Sequence, residues 1–343
     1  MFSLNTWYVA GKSEDVEDKP LGRTICSERM VFFRNEGGGI SALQDFCPHR
    51  GAPLSLGFVC EGKLTCGYHG LQVDGSGTPV SMPDQRVRGF PSVRAFPAVE
   101  RYGYIWVWPG EADKADPALL PELHWANNSE WAFGGGMCHI MSDYRLMIDN
   151  LMDLTHETYV HANSIGQKEI DETPCTTRTE GDEVITSRFM NGIIAPPFLQ
   201  MALRGNGLPD DQLVDRWQVC HFTPPSHIMI EIGVALAGNG GYNAPAEVKA
   251  SAVVVDFITP ETPTSHWYFW GMARNFKPDD AELTERIRKG QETIFAEDKV
   301  VLERQQDNLS HWPDRKLLML KIDNGGIQSR KVLDRVIAAD TVS

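Results

Sequence analysis

No stretch of this 343-residue chain approaches the roughly 18 consecutive apolar residues of a membrane span, so no membrane association is expected. Positive charge is scarce: 32 Lys and Arg stand against 46 Asp and Glu, a net charge of −14. That balance argues against a nucleic-acid partner bound through its phosphates. Met1 to Ala10 contain neither a basic stretch nor a long apolar one, so no signal peptide is expected. Cysteine is sparse, with seven residues at positions 26, 47, 60, 66, 138, 175 and 220. An odd number without an export signal points to a reducing cytoplasm, where clustered cysteines read as metal ligands before disulfides. Nucleotide-binding glycine patterns are missing as well. No G-x-G-x-x-G follows a strand, and Gly11-Lys12-Ser13 has Thr6 where a phosphate loop needs glycine. With no nicotinamide or flavin site in view, any electrons must come from another protein.

What is present is an ordinary globular composition, 42% hydrophobic and 23% charged, long enough for two domains. Residues 1–115 read as β-rich, with short apolar runs at Met30–Arg34, Phe58–Cys60 and Tyr104–Trp108 between Gly, Pro and Asp punctuation. A polar, proline-marked stretch from Pro109 to Pro117 sets the boundary between domains 1–115 and 116–343. Beyond it the spacing predicts a helix near 144–158, strands at Val184–Phe189, His227–Ala237 and Ala252–Ile258, and a closing helix over about 279–306. Gly37–Gly39 and Gly134–Gly136 read as turns. The fold class is α+β, a small all-β domain followed by a larger mixed one.

Two clusters carry chemistry. In the first, Cys47-Pro48-His49-Arg50-Gly51 precedes Cys66-Gly67-Tyr68-His69-Gly70, written C-x-H, sixteen residues, then C-x-x-H. Two thiolates and two imidazoles suit either a structural zinc or a Rieske [2Fe–2S] cluster with Cys47 and Cys66 on one iron and His49 and His69 on the other. The C-x-H half is Rieske spacing, whereas zinc loops usually separate the first pair by two or more residues. Cys60 fits neither half and reads as a small buried hydrophobe.

The second cluster is Asp149-x3-Asp153-x2-His156-x4-His161. Asp149, Asp153 and His156 form one stripe of a helix, but His161 falls about 140° away from His156. If both imidazoles bind one metal, the helix must end or widen near 157–160. A polar helix end with two unconnected histidines is the alternative. The closing helix offers a third ligand. Asp298 lies within the arc marked by Leu283, Ile287, Ile294, Phe295, Val301 and Leu302, while Glu297 lies outside it. A carboxylate there needs a metal or a buried Lys or Arg. Two histidines and one aspartate make the facial triad of non-haem Fe(II) oxygenases.

On these residues the sequence resembles the oxygenase subunits of Rieske non-haem iron oxygenases. The resemblance runs from Asn5-Thr6-Trp7-Tyr8 through Asp45–Gly57 and Arg145–Glu157 to Phe269–Phe276 and Ile327-Gln328-Ser329-Arg330. Ala52 and Tyr68 stand where respiratory Rieske loops carry extra cysteines, which points to the soluble oxygenase variety. The resemblance implies an N-terminal Rieske domain on a helix-grip catalytic domain with a large antiparallel sheet, assembled as a homotrimer. It implies cluster ligands Cys47, His49, Cys66 and His69, and mononuclear iron ligands His156, His161 and Asp298. Asn150 and Asp153 would be catalytic, with Asp153 bridging an iron-ligand histidine to a cluster histidine of a neighbouring subunit. A separate flavin/[2Fe–2S] reductase would deliver electrons from NADH, and O₂ would be the co-substrate. The implied reaction is oxidative O-demethylation of an aryl methyl ether, with vanillate expected to give protocatechuate and formaldehyde. Another methoxybenzoate, or a chlorinated or sulfonated aromatic, is the alternative substrate. A Rieske electron carrier, about as long as residues 1–115 alone, is the non-enzyme alternative.

Overall fold

The computed structural model describes the chain through residue 342. It packs into two compact units. One comprises Met1–Leu123 with Thr259–Pro263 and the chain end from Asp340; the other comprises His124–Ile258 with Thr264–Ala339.

The first unit is built from three antiparallel sheets. Tyr8–Lys12, Tyr104–Val107 and Ala98–Arg101 form one; Leu21–Ile25, Glu28–Arg34, Ile40–Gln44 and Ala95–Phe96 form the second. Strand Glu28–Arg34 is apolar on both faces, and its alternation explains why. Met30 and Phe32 enter a core with Tyr8, Ile105 and Val107, whereas Val31 and Phe33 enter another with Leu43, Leu54 and Leu64. That second core also contains Cys47, Cys66, Leu71 and Val73. The third sheet, Phe58–Cys60, Lys63–Thr65, Gln72–Val73 and Pro79–Ser81, thus places Cys66 at the end of a short strand, with its side chain inward. Cys60 lies at a strand end with its side chain exposed, not buried as expected, because its strand is a solvent-edged hairpin arm.

The second unit centres on a seven-stranded antiparallel sheet. In spatial order its strands are Ala132–Ile140, Ser265–Arg274, Lys249–Thr262, His227–Leu236, Leu213–Thr223, Glu183–Ile194 and Thr176–Glu180. The glycine triplet read as a turn lies inside the first of these strands. A Cβ on Gly136 would come within 2.5 Å of the Trp270 ring, so the glycines open room for an indole on the paired strand. The closing helix runs Ala281–His311, capped by Asp280, which accepts from Leu283 N at 2.8 Å. Its buried stripe is Leu283, Ile287, Gln291, Phe295, Asp298 and Leu302; Val301 is exposed. Phe295 meets Tyr268 and Trp270 edge-on or tilted, at 5.1 and 5.3 Å between ring centres, which presses this stripe onto the sheet. A further helix, Asn324–Val342, follows beyond the expected closing one.

Candidate metal centres and their cavity

The two cysteine loops are near copies of one another. Cys47 N donates to Ala52 O, and Gly51 N to Cys47 O; Cys66 N donates to Leu71 O, and Gly70 N to Cys66 O. Gly51 and Gly70 close these turns at φ +70° and +75°, a left-handed conformation that favours glycine. Both cysteines are buried, while His49 and His69 are exposed, their ring centres 4.6 Å apart. Burial pushes the Cys47 thiol up, and the adjacent Cys66 thiol adds to the rise, so thiolates here call for a metal's positive charge. Among the described residues, the metal-type donors gathered within 4.8 Å of one another are those of His156, His161 and Asp298. Two buried thiols and two exposed imidazoles on matched loops suit a two-iron cluster with one pair of ligands on each iron.

The second cluster depends on a helix that stops early. The expected 144–158 helix ends at Met152, where Asp153 turns extended at φ −103° and ψ 103°. A separate turn, Glu157–Val160, follows with His156 at its start and His161 at its end. The break removes the angular problem of the two histidines, since they no longer share one continuous helix. Asp149 leaves the stripe altogether; Arg330 on the last helix holds it with bonds of 2.5–3.0 Å.

Each histidine is fixed from behind. His156 Nδ1 lies 2.5 Å from the Asp153 carbonyl, and His161 Nδ1 lies 2.7 Å from Glu297 Oε2. With both Nδ1–H groups donating rearward, both Nε2 lone pairs face forward, at 3.6 and 3.3 Å from Asp298 Oδ1. Asn150 Nδ2 donates to that same oxygen at 2.9 Å. Asp298 and His161 are each 2% exposed, and Asp298 has no Lys or Arg partner among the described residues. Three electron pairs thus converge in a buried corner with no cation of the chain between them. Burial lowers His161, but the hydrogen bond and charge of Asp298 outweigh it and leave its pKa raised. A divalent cation displaces that proton, and two nitrogens with one carboxylate fit Fe(II).

The structure thus brings together His156, His161, Asp298 and Asn150. Asp153 is adjacent, but its carboxylate accepts from Thr155 N at 2.7 Å, and its carbonyl, not its carboxylate, meets His156. The early helix end accounts for this by turning the Asp153 peptide toward the ring.

Sequence reasoning missed several groups. Glu297 sits off the buried stripe, yet it reaches His161. Glu157, Arg216 and Gln218 form a buried set in which Arg216 Nη2 and Gln218 Nε2 donate to Glu157 at 3.2 and 2.5 Å. Arg216 and Gln218 alternate on one face of Leu213–Thr223, a polar period-2 signal inside an apolar strand. These residues line a cavity of about 100 Å³ beside the histidines, with Leu154, Ile230, Ile232, Val254 and Phe295 among its apolar walls.

A Rieske-type sheet domain joined to a sheet-and-helix domain bearing a 2-His-1-carboxylate corner defines the class of Rieske non-haem iron oxygenases. Residues 6–97 match the Rieske [2Fe-2S] domain family, and residues 140–339 match the vanillate O-demethylase oxygenase C-terminal domain family. The chain is 64% identical to a vanillate O-demethylase oxygenase subunit of Pseudomonas sp. (strain HR199 / DSM 7063), over 99% of this chain and 96% of that one. It superposes on dicamba monooxygenase bound to 3,6-dichlorosalicylic acid with a TM-score of 0.92 at 32% identity, covering 100% and 99% of the two chains. Dicamba monooxygenase with non-heme iron and dicamba gives 0.84 at 32% identity, covering 99% of each chain. The chain belongs to the vanillate O-demethylase oxygenase family, and its cofactors are a Rieske [2Fe–2S] cluster and a mononuclear non-haem iron.

Proposed function

We propose that this chain is the oxygenase component that demethylates vanillate to protocatechuate and formaldehyde. The observation that carries the reading is the convergence of His156 Nε2, His161 Nε2 and Asp298 on the wall of an apolar cavity. O₂, two electrons and two protons convert the methyl ether to a hemiacetal plus water, and the hemiacetal collapses to phenol and formaldehyde. A separate flavin/[2Fe–2S] reductase supplies the electrons from NADH. Fe(II) at the three-donor corner supplies O₂ activation.

The chain's own residues do the rest. Cys47, His49, Cys66 and His69 hold the cluster, and His156, His161 and Asp298 hold the iron. Glu297 and the Asp153 carbonyl keep the protons of both imidazoles on Nδ1, so Nε2 stays a ligand. Asn150 steadies Asp298 by donating to it. Leu154, Ile230, Ile232, Val254 and Phe295 exclude water and offer a flat ring apolar contact. In this reading residues 1–115 carry the cluster and 116–343 the iron. The working form is a cytoplasmic homotrimer in which the Asp153 carboxylate reaches a cluster histidine of a neighbouring copy.

The deciding experiment incubates the iron-loaded protein with NADH, reductase and a panel of methoxylated, chlorinated and sulfonated benzoates. Formaldehyde from vanillate is the expected outcome. Formaldehyde from another methoxybenzoate with none from vanillate moves the assignment to that substrate, and turnover only of non-methoxylated aromatics removes the demethylase reading.

A further inference from the structure

Two carboxamides on the cavity wall are held in a single orientation by carboxylates. Asn150 Nδ2 donates to Asp298, and Gln218 Nε2 donates to Glu157. A carboxylate only accepts, so neither amide can turn over, and each keeps its oxygen as an obligate acceptor. Asn150 Oδ1 and Gln218 Oε1 are both buried and meet no donor from the chain. Asn150 belongs to the metal corner through Asp298. Gln218 stands apart on the strand Leu213–Thr223, 4% exposed, and its partner Glu157 is itself clamped by Arg216 Nη2 at 3.2 Å. The acceptor is therefore preorganised by a charged pair.

A buried acceptor without a donor is costly, so whatever fills this cavity is selected for offering one. Resting on the function proposed above, the occupant is a hydroxylated methoxybenzoate. Its carboxylate and ether oxygen only accept; its one donor is the phenolic O–H. We infer that Gln218 Oε1 accepts a hydrogen bond from the phenolic hydroxyl of the substrate and makes Gln218 a specificity-determining residue. The lock on Nε2 gives the subsite its sense. A freely turning glutamine accommodates a hydroxyl or a methoxy group alike by presenting either end, whereas this one presents only oxygen. A methoxy oxygen in place of the hydroxyl meets it acceptor to acceptor.

The test is equilibrium binding by calorimetry to the anaerobic holoenzyme, with 4-hydroxy-3-methoxybenzoate, 3-methoxybenzoate and 3,4-dimethoxybenzoate as ligands. Wild type should prefer the hydroxylated ligand over either analogue by about tenfold or more, the equivalent of about 1.4 kcal/mol. Gln218→Met and Gln218→Leu remove the acceptor at similar bulk, and in either the preference should fall to within about twofold. A structural role alone would weaken all three ligands together and leave the ratio standing. Equal affinities in wild type, as when a resident water satisfies Gln218, overturn the subsite whether or not the variants fold. A preference retained in a folded variant overturns it too. If wild type releases formaldehyde from these compounds while binding them equally, the subsite alone is wrong. If it neither binds nor demethylates any of them, the function reading falls with it.

Discussion

Single carboxylates decide most of what the three-donor corner can do. Asp298 faces the forward nitrogens and Glu297 the rearward one, although they are neighbours in sequence. Asp298→Ala should therefore abolish mononuclear iron and formaldehyde release while leaving the Rieske EPR signal, read by iron quantitation alongside the spectrum. Glu297→Gln keeps a hydrogen-bond acceptor without the charge, and should weaken iron binding by about 10- to 100-fold in a chelator competition. A third carboxylate behaves differently. Asp256 is fully buried, accepts from the Tyr268 hydroxyl at 2.5 Å, and leaves Oδ2 without a donor. Burial raises its pKa to about 8, the Tyr268 bond opposing and the Asp298 charge adding. The unfolded chain releases this proton near pH 4 and the folded chain only near pH 8, so the folded state holds more protons between those values. Stability is therefore lost progressively as pH rises across that window, and the loss is complete above it. Asp256→Asn should flatten this part of a denaturation-versus-pH profile and stabilise the protein at pH 7 by on the order of 1 kcal/mol or more.

At the scale of elements, the three-donor corner exists because a helix stops four residues before His156. The break is held in place by Arg188, a fully buried guanidinium on Glu183–Ile194 that donates to the Leu154 carbonyl, Thr155 Oγ1 and the Thr173 carbonyl. Lysine carries the charge but cannot span three acceptors in a fork. Arg188→Lys should lower iron occupancy and the melting temperature together while the cluster spectrum stays intact. This element also shows where sequence reading succeeded and where it failed. The cysteine loops were legible because each is local, with ligand and turn glycine within five residues. The long helix and Asp298 were legible because 3.6-residue periodicity survives in any context. The break at Met152 was not, since Arg188 enforces it from a strand more than thirty residues away. Glu297 escaped because a half-buried glutamate off the apolar stripe looks like solvent-facing charge until its partner is known. The strand around Gly134–Gly136 was hidden because glycine argues locally for a turn, and only Trp270 across the pair explains it.

For the whole molecule, the two metal groups should separate cleanly. A chelator strong enough for a three-donor site should remove the mononuclear iron and stop formaldehyde release. The four-ligand cluster should keep its red-brown colour and EPR signal, and Fe(II) should restore turnover. His49→Ala or His69→Ala should do the reverse, bleaching the cluster and leaving mononuclear iron countable.

The first compact unit has a property that matters before any metal arrives. It is not finished when its first 123 residues are. Cys26 N and Ser27 N donate at 2.8 Å to the carbonyls of Pro260 and Glu261, Thr259 Oγ1 donates to Val9 O at 2.7 Å, and Ser3 Oγ donates to Asp340 Oδ2 at 2.5 Å. A ribosome making this chain releases the cysteine loops early, but the segments that close their domain emerge much later, at residues 259–263 and from Asp340 onward. Until then the newborn domain presents open backbone groups to the cell. Cluster insertion that waits for the closed domain is accordingly timed to the emergence of Asp340, and a message truncated between the cysteine loops and that residue yields a protein with every expected cluster ligand and an incomplete domain to hold them.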